Sequence, residues 1–467
     1  MGILFGTDGV RGLANAKLTP ELAFKLGRCG AAVLLAHVTD GQATVLIGRD
    51  TRRSGTMLEA ALAAGFCSMG VNVVKLGVVP TPTVAWLTRN QSVTGVGPAG
   101  SAAVRPAAGV MISASHNPSP DNGIKFFDAK GFKLPDEIEA EIEALVLAGD
   151  DALPRPVGKE VGTITEDLTL VEAYVDHVTK LAPEGLEGLR IAVDTGHGAA
   201  WEIAPFVLRG LGADVKVLHD APDGDNINDG CGSTHLDILK REVITNSLDL
   251  GLAFDGDADR LLAVDHAGNE VDGDHLMLIC LKHGLETGRF AAPSVVATVM
   301  SNLGFEQAIG ELGGELVRAK VGDRYVLEEM VKRDIRLGGE QSGHLIFLDD
   351  NTTGDGLISA LRVLSAIRAA AKPLRELAAA MKDYPQVLKN VRVGSTEGWQ
   401  EDAVIQREIA AATATLAETG RILVRASGTE PLIRVMVEGQ EAALIHRLAD
   451  HLCEIIQQRL VGTPQPA

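Results

Sequence analysis

Hydrophobic and polar residues follow a repeating order along this chain. Apolar, β-prone runs at 44–47 and 71–76 flank an Ala-rich segment, 57–69, whose apolar residues recur at the helical period. This order of strand, helix and strand predicts a βαβ unit. The order returns at 190–218 and again between 250 and 319, so the pattern predicts three successive α/β units.

The pattern changes from residue 372 onward. A helical stretch is followed by strand-like runs at 387–393, 421–424 and 433–438 and by helix-like segments at 402–415 and 441–459. Elements in this order predict a small α+β domain. Segments rich in Pro, Gly and charge, near 150–159 and 183–188, mark a boundary region. The predicted domains are 1–155, 156–250, 251–371 and 372–467.

The composition restricts the class of protein and of partner. The 467 residues are enough for several domains, and 46% hydrophobic and 22% charged residues are typical of a globular protein. The formal net charge of −19 argues against a nucleic acid or an anionic membrane, since both attract clustered positive charge. We therefore expect no nucleic-acid and no membrane partner, and an anionic substrate must meet local arginines.

Cysteine usage and apolar runs bear on the compartment. The five cysteines are scattered, odd in number and without C-x-x-C spacing, which predicts neither a disulfide framework nor a zinc site. We find no apolar run of bilayer-spanning length, and a Gly-rich motif begins at residue 5, so we expect no signal peptide. The simplest expectation is a soluble, cytoplasmic protein.

The stretch 111–118, Met-Ile-Ser-Ala-Ser-His-Asn-Pro, brings a hydroxyl group to the end of a strand. The apolar run delivers Ser115 to a bend that Asn117 and Pro118 enforce, because proline fixes φ and keeps the preceding residue out of the helical region. The pattern predicts that Ser115 points outward from the strand end. The alternative is a Ser-His-Asn cluster that only closes its own turn through side-chain to backbone hydrogen bonds.

A second cluster, 255–260, reads Asp-Gly-Asp-Ala-Asp-Arg and needs a cation to offset its charge. The small residues between the aspartates let the three carboxylates converge, and a hard divalent ion prefers such oxygen ligands. A calcium EF-hand is excluded, because its sixth position would be Arg260 and its twelfth His266. The predicted ligands of a Mg²⁺ ion are Asp255, Asp257, Asp259 and a phosphate on Ser115.

Together with four further motifs, these two clusters resemble the α-D-phosphohexomutases, in which a phosphorylated serine exchanges its phosphoryl group with a sugar. The resemblance covers the length of the chain. The further motifs are Phe-Gly-Thr-Asp-Gly-Val-Arg-Gly at 5–12, Gly-Arg-Asp-Thr-Arg at 48–52, Gly-Glu-Gln-Ser-Gly-His at 339–344 and Arg-Ala-Ser-Gly-Thr-Glu-Pro at 425–431. The 339–344 loop, with 320–326 and 352–356, looks most like the bacterial phosphoglucosamine mutase branch.

The resemblance implies a fold and a reaction. The fold would be α/β, with three similar mixed α/β domains and a smaller C-terminal α+β domain around a central cleft. The reaction would interconvert glucosamine 6-phosphate and glucosamine 1-phosphate through phospho-Ser115 and a bisphosphorylated sugar, supplying UDP-N-acetylglucosamine and cell-wall precursors. It implies one Mg²⁺ per chain and a sugar 1,6-bisphosphate or other phosphoryl donor that primes Ser115. A homodimer is left open.

Roles for individual residues follow from the same resemblance. Arg11 and Lys125 would lie at the phosphoryl group, Lys125 as a charge stabiliser or general acid/base, and Arg260 would hold phosphate near the metal. His344 is a further candidate catalytic residue, although it could equally be a partly buried structural histidine. Arg49 and Arg52, in a strand-to-helix turn, receive supporting roles only.

Two loops suit a sugar phosphate. Glu340 and Ser342 lie in a Gly-framed loop, where a carboxylate can accept hydrogen bonds from two vicinal hydroxyls of a hexose; Glu340 could instead cap a turn. The C-terminal loop offers a guanidinium fork, hydroxyls and backbone N–H groups to the phosphate that is not reacting. The residues predicted to bind this phosphate are Arg425, Ser427, Gly428, Thr429 and Arg434.

Some features leave alternatives open. Residues 91–107 form an insertion before the Ser115 strand, which we interpret as a surface loop that could also reach the cleft or a neighbouring subunit. Ala426 replaces a proline that is usual in the C-terminal loop. The glycine turn at 194–198 is interpreted as structural. Other functions to be weighed are a phosphomannomutase or phosphoglucomutase, a bisphosphate-hydrolysing phosphatase and a catalytically silent sugar-phosphate sensor.

Overall fold

The computed structural model describes residues 4–6, 8–35, 42–94, 103–148, 152–427 and 431–460. Within these ranges the strands form four sheets, of seven, five, four and three strands. The fold is therefore α/β with mixed sheets and a smaller C-terminal sheet, as predicted. No helix among the described residues is both long and apolar enough to cross a membrane.

The first sheet carries the serine loop, which we define as residues 113–118. Its strands are β1 (Phe5–Gly6), β2 (Gly9–Leu13), β3 (Thr44–Arg49), β4 (Asn72–Val78), β5 (Ala108–Ile112), β6 (Asp121–Asp128) and β7 (Ile164–Glu166), in the order β1-β2-β6-β5-β3-β4-β7. Its helices are α1 (Pro20–Leu34), α2 (Arg53–Cys67), α3 (Thr81–Asn90) and α4 (Asp136–Ala148). The predicted βαβ unit is confirmed as β3-α2-β4, with parallel strands.

The middle of this sheet sets the position of the serine loop. β3 is buried over five of its six residues, which fits a strand covered on both faces. β5 pairs in parallel with β3 and antiparallel with β6, and the serine loop connects β5 to β6. β2 pairs antiparallel with β6, so that Arg11 lies opposite Gly123. Arg11, Lys125 and the serine loop are thereby joined through β6.

The second sheet contains β8 (Arg190–Asp194), β9 (Asp214–Leu218), β10 (Leu250–Phe254), β11 (Leu261–Asp265) and β12 (Glu270–Val271) in the order β12-β11-β10-β8-β9. Helices α5 (Leu170–Thr179), α6 (Ile203–Gly210) and α7 (Asp237–Thr245) accompany it. The prediction that a third domain begins at 251 is wrong. A short loop joins β10 to its antiparallel neighbour β11, so the chain stays in the second sheet until β12.

The predicted boundary after residue 155 also differs from the strand pairing. β7 follows that position in the chain, yet it pairs in parallel with β4 at the edge of the first sheet. Edge strands form from short segments that need only one partner, and the three residues of β7 leave a weak signal in the sequence.

The third sheet has the order β14-β13-β15-β16, formed by β13 (Ser294–Thr298), β14 (Glu315–Ala319), β15 (Leu337–Gly339) and β16 (Leu345–Phe347). Helices α8 (Gly273–Glu286), α10 (Asp323–Arg333), α11 (Gly356–Ala370) and α12 (Leu374–Ala378) belong to this part of the chain. The Glu340 loop, residues 339–344, connects the antiparallel strands β15 and β16.

The C-terminal sheet belongs to a compact unit of its own, made of residues 301–314 and the chain from 381 onward. It contains α9 (Leu303–Glu311), β17 (Gln386–Arg392), α13 (Ala403–Leu416), β18 (Gly420–Ala426), β19 (Leu432–Gly439) and α14 (Ala442–Leu460). The predicted start at 372 is too early, and α9 was not foreseen in this unit. The side-chain amide of Asn302 exchanges two hydrogen bonds of 3.0 Å with the backbone of Tyr384, which ties α9 to the C-terminal segment.

The insertion at 91–107 is described only at its two ends. Val93 and Val104 exchange backbone hydrogen bonds of 2.8 and 2.9 Å, which close the base of the segment. The Gly- and Ala-rich stretch at 96–100 lies outside the described residues.

Candidate functional site

The serine loop is held by side chains from other segments. Ser115 has a positive φ of 52°, which is uncommon for a residue with a Cβ atom. Its backbone oxygen accepts hydrogen bonds of 2.9 Å from both Arg52 and Asn228. The same two side chains donate to the backbone oxygen of Asn117, at 2.8 and 3.0 Å. These contacts hold the loop in a conformation that its own sequence does not favour.

Ser115 follows the end of β5, and its side chain contacts a buried carboxylate cluster. Its Oγ donates a 2.6 Å hydrogen bond to Asp255, across 140 residues of sequence. Ser115 is 1% exposed, and the Asp255 that it contacts directly follows β10. Asn117 bonds instead to Asp121. The alternative in which the hydroxyl only closes its own turn is therefore wrong.

Three aspartates meet in this cluster. One carboxylate oxygen from each of Asp255, Asp257 and Asp259 lies within 4.8 Å of the others, and none of the three residues is more than 3% exposed. Among the described residues, Oδ1 of Asp257 and Oδ1 of Asp259 are buried without a hydrogen-bond partner. A buried, unpaired carboxylate oxygen is costly unless a cation binds it. The donor set, three hard oxygens, fits a hard divalent ion.

The shifts in the pKa values of the aspartates also indicate that a cation binds here. Burial, with the neighbouring Asp259 and Asp257, holds the pKa of Asp255 well above its ordinary value. Burial alone would also raise the pKa of Asp257, but the ammonium of Lys125 at 2.8 Å lowers it below its ordinary value. Thr81, the first residue of α3, donates its hydroxyl to the Asp257 carboxylate at 2.6 Å and its backbone N–H to the Asp257 backbone oxygen at 2.9 Å. The protein thus favours the ionised form of Asp257, whereas the ionised form of Asp255 needs a cation beside it.

Lys125 is part of a chain of alternating charges. Its Nζ lies 2.8 Å from Asp257 and 3.0 Å from Asp8, and Asp8 also pairs with Arg11 and Lys133. Burial lowers the pKa of a lysine, but the two aspartates outweigh it, so the pKa of Lys125 is raised. Asp8 thereby orients the two cations, Arg11 and Lys125, that were assigned to the phosphoryl group.

Two further candidates lie beside the cluster. The backbone N–H of Arg260 donates to Asp255 at 3.2 Å, and its Nε lies 4.0 Å from Asp259. The pKa of Arg260 is raised because the surrounding carboxylates outweigh its burial. The ring of His344 is buried, with Nε2 3.8 Å from Asp259 and 3.6 Å from Asp323. Neither ring nitrogen of His344 has a hydrogen-bond partner among the described residues.

The Glu340 loop packs against the start of β11. The backbone N–H of Leu261 donates a 2.9 Å hydrogen bond to Gly343, which places the loop next to the aspartate cluster. Glu340 is half-buried and accepts a 3.2 Å bond from the backbone of Gly322, whereas Ser342 is exposed. The carboxylate of Glu340 also contributes to the raised pKa of Arg260. The structure therefore brings the Glu340 loop close to Arg260 and to the aspartate cluster.

The C-terminal unit places two arginines side by side. Arg425 on β18 lies directly opposite Arg434 on β19. Burial, and secondarily the neighbouring Arg434, lowers the pKa of Arg425. Nε of Arg434 is buried with no hydrogen-bond partner among the described residues. Like charges directly opposite destabilise a strand pair, which an anion would relieve. Ser427 continues from β18, its N–H bonded to Leu432, while Gly428 and Thr429 lie outside the described residues.

Sequence reasoning missed several of the residues that build this site. Asn228 is separated from Ser115 by 113 residues, and nothing in its local sequence marks it. Arg52, which was assigned a supporting role, donates to two backbone oxygens of the serine loop, and Asp50, which was not singled out, accepts from Arg52 and from Ser113. Asp8 lies inside the motif at 5–12, and this motif is the signal that could have found it.

Comparison with known proteins adds to this geometry. Four family models match the chain: phosphoglucomutase/phosphomannomutase alpha/beta/alpha domain I at residues 2–152, domain II at 172–268, domain III at 272–384 and the C-terminal domain at 388–455. The second of these ranges contains β10 and β11.

Whole proteins and solved structures match as well. The chain is 53% identical to a phosphoglucosamine mutase from Symbiobacterium thermophilum over 98% of this chain and 99% of that one, and 53% identical to one from Moorella thermoacetica over 94% and 96%. A phosphoglucomutase/phosphomannomutase family protein from Burkholderia thailandensis has a TM-score of 0.81 at 24% identity, covering 99% of each chain. An N-acetylphosphoglucosamine mutase from Aspergillus fumigatus, solved with GlcNAc-6P and magnesium, has a TM-score of 0.66 at 17% identity, over 99% and 96%. These two structures share the fold.

Proposed function

Since this chain belongs to the phosphoglucomutase/phosphomannomutase family, we propose that it is a phosphoglucosamine mutase, which interconverts glucosamine 6-phosphate and glucosamine 1-phosphate. Its near full-length relatives at 53% identity carry that name. The product would feed the synthesis of UDP-N-acetylglucosamine and of cell-wall precursors. The enzyme would act in the cytoplasm, where its five free cysteines would remain reduced.

One observation carries the proposal. The hydroxyl of Ser115 lies 2.6 Å from a carboxylate of a buried aspartate triad, with the ammonium of Lys125 on the neighbouring carboxylate. A hydroxyl beside a divalent-cation site and a buried lysine is the arrangement that phosphoryl transfer needs, because the reaction depends on positioning and on offsetting charge.

The residues that would hold Mg²⁺ are Asp255, Asp257 and Asp259, together with the phosphate of phospho-Ser115. When bound, the ion would neutralise the developing charge on the transferred phosphoryl group.

The residues of the chain divide the work of the transfer. The P–O bond to Ser115 breaks while a P–O bond to the free sugar hydroxyl forms. The proton of that hydroxyl passes to a base, and the released Ser115 oxygen takes up a proton from a general acid, for which Lys125 is the candidate. His344 is the candidate base, since both of its buried ring nitrogens lack a partner among the described residues. Lys125 and Arg11, both tied to Asp8, hold positive charge at the phosphoryl group. In the second half the same groups act in reverse, and Ser115 recovers a phosphoryl group from the other end of the sugar.

Recognition of the sugar is assigned to the two loops. Glu340 and Ser342 would accept and donate hydrogen bonds to the sugar hydroxyls in both orientations of the bisphosphorylated intermediate. Arg425 and Arg434, with Ser427, Gly428 and Thr429, would bind the phosphate that is not reacting. A sugar 1,6-bisphosphate or another phosphoryl donor would prime Ser115, and the partner would be a hexosamine phosphate, with a homodimer left open as the assembly.

The test is kcat/KM for the 1-phosphates of glucosamine, glucose and mannose, with Mg²⁺ and a trace of the matching bisphosphate. We expect a preference for glucosamine 1-phosphate of at least about tenfold, equivalent to about 1.4 kcal/mol. Ser115→Ala should abolish turnover, while Ser395→Ala, at an exposed serine of the C-terminal unit, should not change it. Preference for glucose or mannose would identify a phosphoglucomutase or phosphomannomutase. Turnover by Ser115→Ala, or net release of phosphate, would refute the mechanism.

A further inference from the structure

A second cluster of metal-ligand side chains lies in the second sheet, apart from the aspartate triad. Asp194 is the last residue of β8, His219 directly follows β9, and Cys231 lies in the next loop. One ligand atom from each of the three lies within 4.8 Å of the others. They meet at the carboxyl ends of two parallel strands, an edge where α/β sheets commonly place ligands.

The ligand atoms of this cluster are buried or partly buried and have few other partners among the described residues. Asp194 is fully buried, and its Oδ1 accepts a 2.9 Å hydrogen bond from the backbone of Gly196. Its Oδ2 and Nδ1 of His219 lie 3.0 Å apart, and outside this pair neither atom has a hydrogen-bond partner among the described residues. A carboxylate oxygen and an imidazole nitrogen at this distance can either share a proton or bind one cation together. Cys231 is also fully buried and is not in a disulfide.

We propose that Asp194, His219 and Cys231 bind one zinc ion. A thiolate, an imidazole nitrogen and a carboxylate oxygen are the three ligand types of protein zinc sites, whereas the thiol makes the trio unsuitable for Mg²⁺. Water fills the fourth position. Binding releases the proton of the Cys231 thiol to solvent, because the ligand is the thiolate. The cysteine spacing predicted no zinc site, since the ligands come from three separate segments.

The site has a structural consequence for the serine loop. The segment 226–232 contains the ligand Cys231 and also contacts the serine loop through Asn228. The backbone N–H of Asn228 donates to Gly196 at 2.9 Å, and its side chain donates to the backbone oxygens of Ser115 and Asn117. A metal that fixes Cys231 to Asp194 therefore stabilises the segment that holds the serine loop. This role does not depend on which sugar the enzyme accepts.

The competing interpretation is an ion pair without a metal. In that case a hydrogen bond from the ring to Asp194, together with the charge of this carboxylate, raises the pKa of His219 and favours the protonated ring. In that case Cys231 remains a neutral thiol, because burial and the nearby Asp194 and Asp229 raise its pKa to about 12. The two interpretations differ in whether the sulfur carries a metal, which spectroscopy can measure directly.

The experiment uses Co²⁺ as a coloured substitute for Zn²⁺. The full-length chain is treated with a chelator, supplied with excess Mg²⁺ to saturate the aspartate triad, and titrated with Co²⁺. We expect one equivalent to give a thiolate-to-cobalt charge-transfer band in the near ultraviolet, which the aspartate triad cannot produce because it contains no sulfur. Zn²⁺ should displace Co²⁺, so that the band disappears, and should raise the Tm of the wild-type chain.

Three variants test the ligand assignment. Cys231→Ser should abolish the band, whereas Cys453→Ser, at a half-buried cysteine of α14, should keep it. His219→Gln should weaken Co²⁺ binding by at least ~10-fold, because loss of a direct ligand should cost no less than loss of a residue that only orients a ligand. Far-ultraviolet circular dichroism checks that each variant is folded. Absence of the band in the folded wild-type chain, or its survival in Cys231→Ser, would overturn the proposal.

Discussion

Gly256 offers the most direct test of how the aspartate cluster and the serine loop fit together. A Cβ atom at position 256 would lie 2.6 Å from the backbone oxygen of Ser115 and 2.7 Å from the side-chain nitrogen of Asn228. Ordinary contacts begin at 3.4 Å, so Gly256→Ala forces the Ser115 carbonyl to retreat by about 0.8 Å. The retreat must also stretch the hydrogen bonds from Arg52 and Asn228 to that oxygen.

The expected effects follow from this displacement. Overpacking of a buried contact costs about 1–3 kcal/mol, to be measured as a lower midpoint in urea unfolding. A misplacement of about 1 Å in a reacting group can lower a rate about 10²-fold, so kcat should fall by roughly one to two orders of magnitude. KM should change less, since the Glu340 loop and the arginine pair are not touched. Intact mass should report the phosphorylated fraction of Ser115, so that loss of phosphate is not mistaken for misplacement.

Gly210→Ala is the matched control. Gly210 is the last residue of α6, and a Cβ there would meet nothing within 4 Å. This substitution should leave kcat unchanged and stabilise the chain by about 0.4–1 kcal/mol, because alanine restricts the unfolded chain. If Gly256→Ala keeps kcat within about threefold of the wild type at full phosphorylation, close packing of Gly256 does not position Ser115, and the reasoning is refuted.

Three further predictions concern the loops and the cysteines. Asn228→Ala should lower the free energy of unfolding in urea by about 1–3 kcal/mol, since it removes hydrogen bonds to two backbone carbonyls of the serine loop. Asn226→Ala, whose side chain bonds an exposed carbonyl, should cost less. Equal costs would contradict the role of Asn228. Arg425→Ala should raise KM about 10- to 100-fold with little change in kcat, whereas Arg407→Ala, on an exposed face of α13, should leave both unchanged; a fall in kcat at constant KM would count against a phosphate-binding role. A thiol reagent at pH 8 should modify Cys453 first in the folded chain and all five thiols after unfolding, because the other four are buried; rapid reaction of two or more in the folded chain would contradict the burial.

The order of elements could be predicted from the sequence because its signals are local. The alternation at 44–76 and at 190–218 predicted strands and helices that the structure has as β3, α2, β4 and β8, α6, β9. These signals depend on residues within one turn or one strand of each other. The sheet to which an element belongs is a different matter. β7 pairs with β4 in the first sheet, and β10, with β11 beside it, pairs with β8 in the second. The sequence did not indicate these sheets, because β4 and β8 lie far from their partners along the chain.

The candidate site could be predicted in part for the same reason. Asp255, Asp257 and Asp259 lie close together in sequence, so their spacing alone indicated a cation site. The apolar run that leads to Ser115, followed by Asn117 and Pro118, indicated a loop that carries a hydroxyl group. Of the residues that hold the loop, Arg52 belongs to the motif at 48–52, whereas Asn228 comes from a segment with no signal of its own.

The sequence by itself determined the elements, the carboxylate triplet and the motifs that indicate a phosphohexomutase, since each is written within a few neighbouring residues. Only the tertiary structure decided that Ser115 is buried against Asp255, that Lys125 shares Asp8 with Arg11, and that Asp194, His219 and Cys231 meet. The physical reason is that these contacts join segments of different strands and sheets. Their distances are set by how buried apolar faces pack, and no local pattern encodes that packing.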